Sequence, residues 1–378
     1  MEKGEILYCG EFTGFEGGIE RYAHRTALFL REASWRVSWC GRRPGRGEDE
    51  FRTGFDHVYS ADELPSDMPD VRVVILHKLV NINLLRQLCA RFGNRLVFLA
   101  HDHDLYCPRR HYYTPFGRTN CHRAFAPLRC GICSHLSSPR NWPGQGMGRS
   151  ALLRCLRGCH AAVLSDFMKG NLVRNGFREE KIHRLPPVID VPSGSRKDPD
   201  NAALNILYLG QLIRGKGVDL LLPALASLRI PWRATVAGDG NDRAMLEDLA
   251  KTLGIADRIR FTGWLNDPEV CFEGCDVAVF PSRWQEPFGL SGAEALAHGV
   301  PVIAFDTGGV REWLDDEVSG FIVPERDSDA LAVKLELLYR EPVLRKKMGQ
   351  VGAQRMRERF SPECFRTSFE QLIEAVNQ

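Results

Sequence analysis

Two carboxylates eight residues apart, Glu286 and Glu294, stand in the stretch 281–303, PSRWQEPFGLSGAEALAHGVPVI. Glu286 lies in a turn rich in proline and glycine. Glu294 lies in the apolar run Leu290, Ala293, Leu296, Ala297, whose spacing predicts a helix. Gly299 and Pro301 stop that helix. Glu294 is thus expected on the helix's first turns, with Glu286 in the loop just ahead of its N-terminus. A helix N-terminus offers unpaired N–H groups and partial positive charge, which suit a phosphate, and two carboxylates beside it suit hydroxyls. A nucleotide diphosphate sugar carries both kinds of group. Taken singly, either glutamate is equally well explained as balancing the dipole of a surface helix.

The elements that must position these residues are α/β. Residues 5–9, 35–40, 72–76 and 95–100 read as short buried strands, alternating with helical stretches such as 83–92. That alternation predicts a parallel sheet, whose ligands bind beyond the C-terminal ends of its strands. Three candidates fall at such ends. The loop 10–18 closes with Gly17-Gly18 ahead of an amphipathic helix starting at Ile19, an arrangement that lets backbone approach a phosphate. His101 follows the strand 95–100 directly, which favours it over His103. The loop 210–217, GQLIRGKG, places Arg214 and Lys216 between the strand 205–209 and a helix. A Gly-Gly turn or a lysine in a loop is also commonplace without any ligand. Asp102 and Asp104 form a D-x-D pair, too little alone to assign a metal.

A chain of 378 residues is long enough for two domains, each with its own core. No run of 18 uncharged apolar residues predicts a membrane-spanning helix, and the N-terminus has no signal-peptide core, so a cytoplasmic protein is expected. Twelve cysteines are then not expected to be disulfides. The net charge of +2 is unevenly spread: residues 1–190 carry +8 and residues 191–378 carry −6. Residues 105–184 hold 14 basic and 3 acidic side chains, which suits an anionic acceptor or the inner face of a membrane. No nucleic-acid motif accompanies the charge, so no nucleic-acid partner is expected.

The stretch 281–303 resembles the E-x7-E signature of retaining glycosyltransferases of the GT-B fold, family GT4. The resemblance extends over most of the chain. It implies two doubly wound Rossmann-like domains facing a cleft: residues 1–190 on the acceptor side with an insert at 105–148, residues 191–360 binding the nucleotide sugar, and residues 361–378 as a helix crossing back. The linker is expected at 186–201, rich in proline, glycine and serine. The resemblance gives Glu286 the hydroxyls of the donor sugar and Glu294 the ribose. His101 would sit close to the donor sugar, and Gly17 and Gly18 over the diphosphate. In the family an arginine follows the first glycine of the second domain's loop; here that position is Gln211, with Arg214 left to supply the charge beside Lys216. Gly238 and Gly240 turn at a strand end, and the segment 261–265, with Trp264 and Leu265, resembles the loop that meets the base. Phe288, Gly289 and Leu290 complete the implied donor site, and Gly308-Gly309 resembles a turn beside the donor.

The implied reaction moves a sugar, with retention, from a nucleotide diphosphate sugar to a glycan or lipid-linked acceptor, with no catalytic cofactor. Two other readings fit the same residues: a nucleotide-sugar epimerase or hydrolase, or a catalytically silent scaffold that binds a partner through the insert. The insert carries Cys107, Cys121, Cys130 and Cys133, spaced C-x13-C-x8-C-x2-C, with His122 and His135 nearby. Four thiols in that order suit a structural zinc; free thiols and an iron–sulfur cluster are the alternatives. The insert itself is expected to be irregular and to need such a clamp.

Overall fold

The computed structural model describes residues 3–61, 64–65, 68, 70–78, 81–109, 112–114, 119–137, 145–192, 202–265 and 267–378. It divides into two compact units, Met1–Val188 with Pro362–Gln378, and Ile189–Ser361.

In the first unit the elements run β1 (Glu5–Cys9), β2 (Phe12–Thr13), α1 (Gly18–Glu32), β3 (Arg36–Gly41), β4 (Arg43–Pro44), α2 (Glu48–Arg52), β5 (His57–Ser60), β6 (Val71–Leu76) and α3 (Ile82–Phe92), followed by β7 (Leu96–Ala100), α4 (Pro127–Ser137), α5 (Gln145–Leu156), β8 (His160–Val163), α6 (Asp166–Arg174) and β9 (Ile182–Arg184). Seven strands form one parallel sheet in the order β5-β3-β1-β6-β7-β8-β9. Every residue of β1 is buried, as a strand covered on both faces requires. The helix α1 turns Tyr22, Ala23, Ala27 and Leu30 inward at helical spacing.

The second unit runs β10 (Leu204–Leu209), α7 (Val218–Ser227), β11 (Trp232–Ala237), α8 (Arg243–Thr252), β12 (Ile259–Gly263), β13 (Val277–Phe280), α9 (Leu290–Ala297), β14 (Val302–Phe305), β15 (Gly320–Val323), α10 (Ser328–Arg340) and α11 (Pro342–Phe360). Its six strands are also parallel, in the order β12-β11-β10-β13-β14-β15. Asp276, fully buried, ties strands and helix together. It accepts from the Asn205 backbone N–H at 2.9 Å and pairs with Arg345 of α11 at 2.9 Å. The last helix, α12 (Pro362–Asn377), belongs to the first unit; Asn377 donates from Nδ2 to the Arg72 carbonyl and Glu370 pairs with Lys3.

Each sheet has one switch point, where successive strands depart in opposite directions: between β1 and β6, and between β10 and β13. Ligands of doubly wound sheets bind outside the strand ends at such points. Of the four helices that leave them, α3 is capped by a side chain and the other three are not. Asn81, Ser165 and Asp327 cap α3, α6 and α10 with side-chain oxygens. By contrast α1, α7 and α9 follow Gly17, Gly217 and Gly289, which offer no side-chain cap; the first N–H groups of α7 and α9 remain for a ligand, whereas at α1 the Glu20 carboxyl takes its own N–H and that of Gly17.

The sequence-based elements lie within a residue or two of these. The insert departs from expectation. It is not wholly irregular, because Pro127 begins a true helix, α4, in its middle. The Pro, Gly and Cys content hid it, and its apolar residues face solvent rather than a core. Residues 110–111, 115–118 and 138–144 of the insert, and 193–201 of the expected linker, lie outside the described residues.

Candidate active site

In the second unit two loops at the switch point lock together. The loop after β10 carries Lys216 and the loop after β13 carries Glu286. Lys216 Nζ donates to Glu286 Oε1 at 2.6 Å, and Ser282 Oγ donates to the same oxygen at 2.7 Å. The pair is mostly shielded, with side chains 23% and 11% exposed. Both partners of one oxygen are therefore protein groups, while Oε2 makes no hydrogen bond among the described residues. The carboxylate is held by one oxygen and offers the other.

Close backbone contacts fix this geometry. Gly217 has φ +76°, and a Cβ there would run into the Pro281 carbonyl. Gly308 has φ +58°, and a Cβ there would strike the backbone of Glu286. Only glycine meets both demands without strain. Gly309 N–H donates to the Glu286 carbonyl at 2.8 Å, and Thr307 Oγ1 to the Ser282 carbonyl at 3.0 Å. The Gly308-Gly309 turn is thus a bracket for Glu286. Trp284 lies against Gly215, whose carbonyl accepts from the N–H groups of Arg283 and Trp284. Arg283, almost fully buried, pairs with Asp219 in the first turn of α7 at 2.7 Å.

Around this pair, Glu294 sits half-buried on the second turn of α9, four residues past the uncapped end. Arg214 is exposed and has no ion pair or hydrogen bond among the described residues, so its guanidinium is uncommitted. Gln211 is exposed, and its carbonyl accepts from Tyr208 Oη at 2.9 Å. Burial, then the nearby charge of Glu286, pushes the Tyr208 phenol well up, so it stays neutral. Gly238 and Gly240 follow β11 and abut the Gly210 and Leu212 carbonyls. Trp264 projects from the end of β12, 63% exposed, with Leu265 half-buried beside it. Phe288 belongs to the expected donor-binding set. Its ring is buried against Phe360 and its carbonyl accepts from Trp313 Nε1 at 2.7 Å, so only its backbone is left to meet a ligand. It anchors the turn, while Gly289 and Leu290 remain half-buried at the mouth of α9.

In the first unit the strand ends gather a second set. Gly17 and Gly18 open α1, with nothing within 4 Å of a Cβ built on Gly18. Burial raises the Glu20 carboxyl against the pull of α1's own N–H groups and of Lys78. Lys78, after β6, donates to Asp102 at 3.0 Å and to Asp104 at 2.7 Å. The two carboxylates of the D-x-D pair thus share one lysine. Burial acts to raise the Asp102 carboxyl, but the Lys78 ammonium and the Asp104 N–H outweigh it and hold it below the usual range. His101 stands at the end of β7, edge to edge with His77 and met by the Tyr22 ring. Burial depresses its pKa to about 4, so it is neutral at physiological pH. His103 differs: it is 3% exposed, bonded to Tyr106 Oη at 2.7 Å and stacked on Tyr112, a core residue.

None of the four insert cysteines is in a disulfide. Among the described residues no three His, Cys, Asp or Glu side chains are grouped to hold a metal ion. Cys107 is buried in the core of the first unit, and Cys130 Sγ turns back to accept from the Ala126 N–H at the start of α4. They remain neighbours, since charge on Cys121 and Cys130 adds to the burial that raises Cys107.

Sequence reading had singled out neither Ser282 nor His77. Ser282 was visible as a hydroxyl four residues before Glu286, and His77 as a histidine directly after a strand.

Residues 16–193 match the family described as Glycosyltransferase Family 4, and residues 196–355 the one described as Glycosyl transferases group 1. An uncharacterized glycosyltransferase of Methanocaldococcus jannaschii is 35% identical over 131 residues, 34% of this chain and 33% of its own. The lipopolysaccharide core biosynthesis glycosyltransferase LpsE of Rhizobium meliloti is 29% identical over 190 residues, 49% of this chain and 54% of its own. The chain thus spans a third to about half the length of these relatives. The crystal structure of Anabaena HepE in complex with UDP-glucose superposes with a TM-score of 0.72 at 17% identity over 99% of each chain, a likeness of fold.

Proposed function

The chain belongs to the GT4-type glycosyltransferases of the GT-B fold, and on that premise we propose that it moves a sugar, with retention, from a nucleotide diphosphate sugar to a saccharide or lipid-linked acceptor. The observation that carries the reading is the Lys216–Glu286–Ser282 cluster beside the uncapped end of α9. The departing diphosphate gains negative charge, which Lys216, Arg214 and the free N–H groups of α7 and α9 are placed to stabilise. The sugar carbon gains positive character. Glu286 Oε2, fixed through its sister oxygen, accepts a sugar hydroxyl and orients the ring. Glu294 takes the ribose. A phosphate oxygen of the leaving group accepts the acceptor's proton on the same face, so no protein carboxylate needs to form a covalent intermediate. HepE was seen with UDP-glucose, which supports a nucleotide-sugar donor, and LpsE is named for lipopolysaccharide core biosynthesis, which supports a cell-surface glycan.

The acceptor side is proposed to lie on an anionic membrane face. Residues 105–165 contain nine arginines and no acidic residue. The helix α4 exposes Leu128 (79%), Ile132 (50%) and Leu136 (53%) in one stripe, with Arg129 and His135 exposed beside it. A basic helix with an exposed apolar stripe suits the interface of an anionic bilayer. Among the described residues no helix is long and apolar enough to cross a membrane, so the association would be peripheral. A structural zinc on Cys107, Cys121, Cys130 and Cys133 remains a proposal resting on their spacing.

The deciding experiment is a panel of nucleotide sugars, each followed by NMR of the anomeric proton with candidate acceptors. Retention of configuration in a transferred sugar supports the reading. Water as the only acceptor, or inversion, overturns it.

A further inference from the structure

The parallel strands β6 and β7 are neighbours, so the residues following them are brought together although 24 positions apart. His77 Nδ1 and His101 Nε2 are 3.0 Å apart, with ring centroids 5.2 Å apart and planes 21° from parallel. One ring must donate and the other accept. The far nitrogen of His77, Nε2, decides which. It is buried and has no hydrogen-bond partner among the described residues. If His101 donated, His77 would carry its proton on Nε2 and leave an orphaned N–H in a dry site, an arrangement that folded proteins rarely tolerate. If His77 donates from Nδ1, only a lone pair is left unmet, which is the milder cost.

We infer that His77 is a positioning residue that donates from Nδ1 to His101 Nε2, fixing His101 in the Nδ1–H tautomer and making it a hydrogen-bond donor toward the sugar nucleotide. The inference rests on the reading of His101 as a donor-sugar contact. His101 has no other hydrogen-bond partner among the described residues, so Nδ1 is left for a ligand. The surroundings hold both rings neutral. Tyr8 of β1 and Trp39 of β3 pack on His77, and Tyr22 of α1 meets both rings. Lys78 lies next in the chain, and its ammonium opposes the pull of Asp102 on His101. A neutral donor of fixed tautomer binds a sugar oxygen, whereas a free imidazole would more often carry its proton on Nε2 and present a bare Nδ1.

The test is a long-range 1H–15N spectrum of histidine-labelled full-length protein at pH 7. His101 should show a protonated Nδ1 and a bare Nε2. His77→Leu should release His101 into mixed tautomers and lower kcat/KM for the donor roughly tenfold, the loss of about one hydrogen bond. His77→Gln, whose amide still donates, should retain the tautomer and most of the activity. A protonated Nε2 on wild-type His101, or no change of tautomer in His77→Leu, overturns the inference. The tautomer is read without substrate, so it stands apart from the functional reading. If the tautomer is as stated but a turned-over donor shifts no His101 ring signal, the positioning role falls. If no donor is turned over, the functional reading falls and takes that role with it.

Discussion

Replacing Glu286 with glutamine removes one charge and almost no volume. In the protein Oε1 accepts from Lys216 at 2.6 Å and from Ser282 at 2.7 Å. A glutamine must keep its oxygen on that side, because its NH2 would otherwise face an ammonium. The NH2 then takes the place of Oε2, and the group meant to accept a sugar hydroxyl becomes a donor. A hydrogen bond to a charged group contributes about 1.5–3 kcal/mol. At about 1.4 kcal/mol per decade, losing that one bond lowers kcat/KM by roughly one to two decades. Losing the charge on Lys216's partner as well should bring the total to the upper end or beyond. The fold should hold, since the pair lies at a loop mouth and the bracket of Gly308, Gly309 and Thr307 uses only backbone of the Glu286 loop. The assay is steady-state kinetics with the active donor, beside thermal melts with and without nucleotide. Glu294→Gln is the comparator and should mainly raise the donor KM. Activity lost only in proportion to a fall in melting temperature, or an unchanged kcat/KM, would refute the argument.

Acid should destabilise the first unit. Burial lowers the pKa of His101 and His160 to about 4, and lowers His77 and His183 as well. The unfolded chain takes up these protons near pH 6.5, whereas the folded chain takes up those of His101 and His160 only near 4 and resists those of His77 and His183, so stability falls as pH drops from about 6.5 toward 4 and is unaffected above that window. Melting curves from pH 8 to 4.5 check this, and a flat profile below pH 6.5 would contradict it. Anionic liposomes should sediment the protein in a salt-sensitive manner, and Leu128→Glu with Ile132→Glu should abolish it. Binding that ignores salt and both substitutions would count against the α4 surface. Metal analysis of protein purified without chelator should find about one zinc per chain, the stoichiometry of a four-ligand structural site. Less than about 0.2, with four thiols titrating freely, would end the zinc proposal.

The sequence alone carried the strands and helices whose pattern is local. The buried run at Glu5–Cys9, the alternating strand at Trp232–Ala237, and the helix breaks at glycine, are legible because backbone periodicity and side-chain burial repeat over a few residues. It also carried the E-x7-E spacing, since one loop and one helix hold both carboxylates. Strand order was not legible residue by residue, and strand order decides which loop ends meet. Lys216 reaches Glu286 across 70 positions, and His77 reaches His101 across 24, only because β10 pairs with β13 and β6 with β7. The side-chain direction of Phe288 was likewise invisible, because whether a ring in a turn faces ligand or core depends on Phe360, contributed by a later helix. The same limit governs the cysteines. Spacing states how far apart four thiols are along the chain, but their convergence depends on how α4 and the Cys107 segment pack. There the tertiary structure buries one sulfur in the core and turns another back onto its own helix.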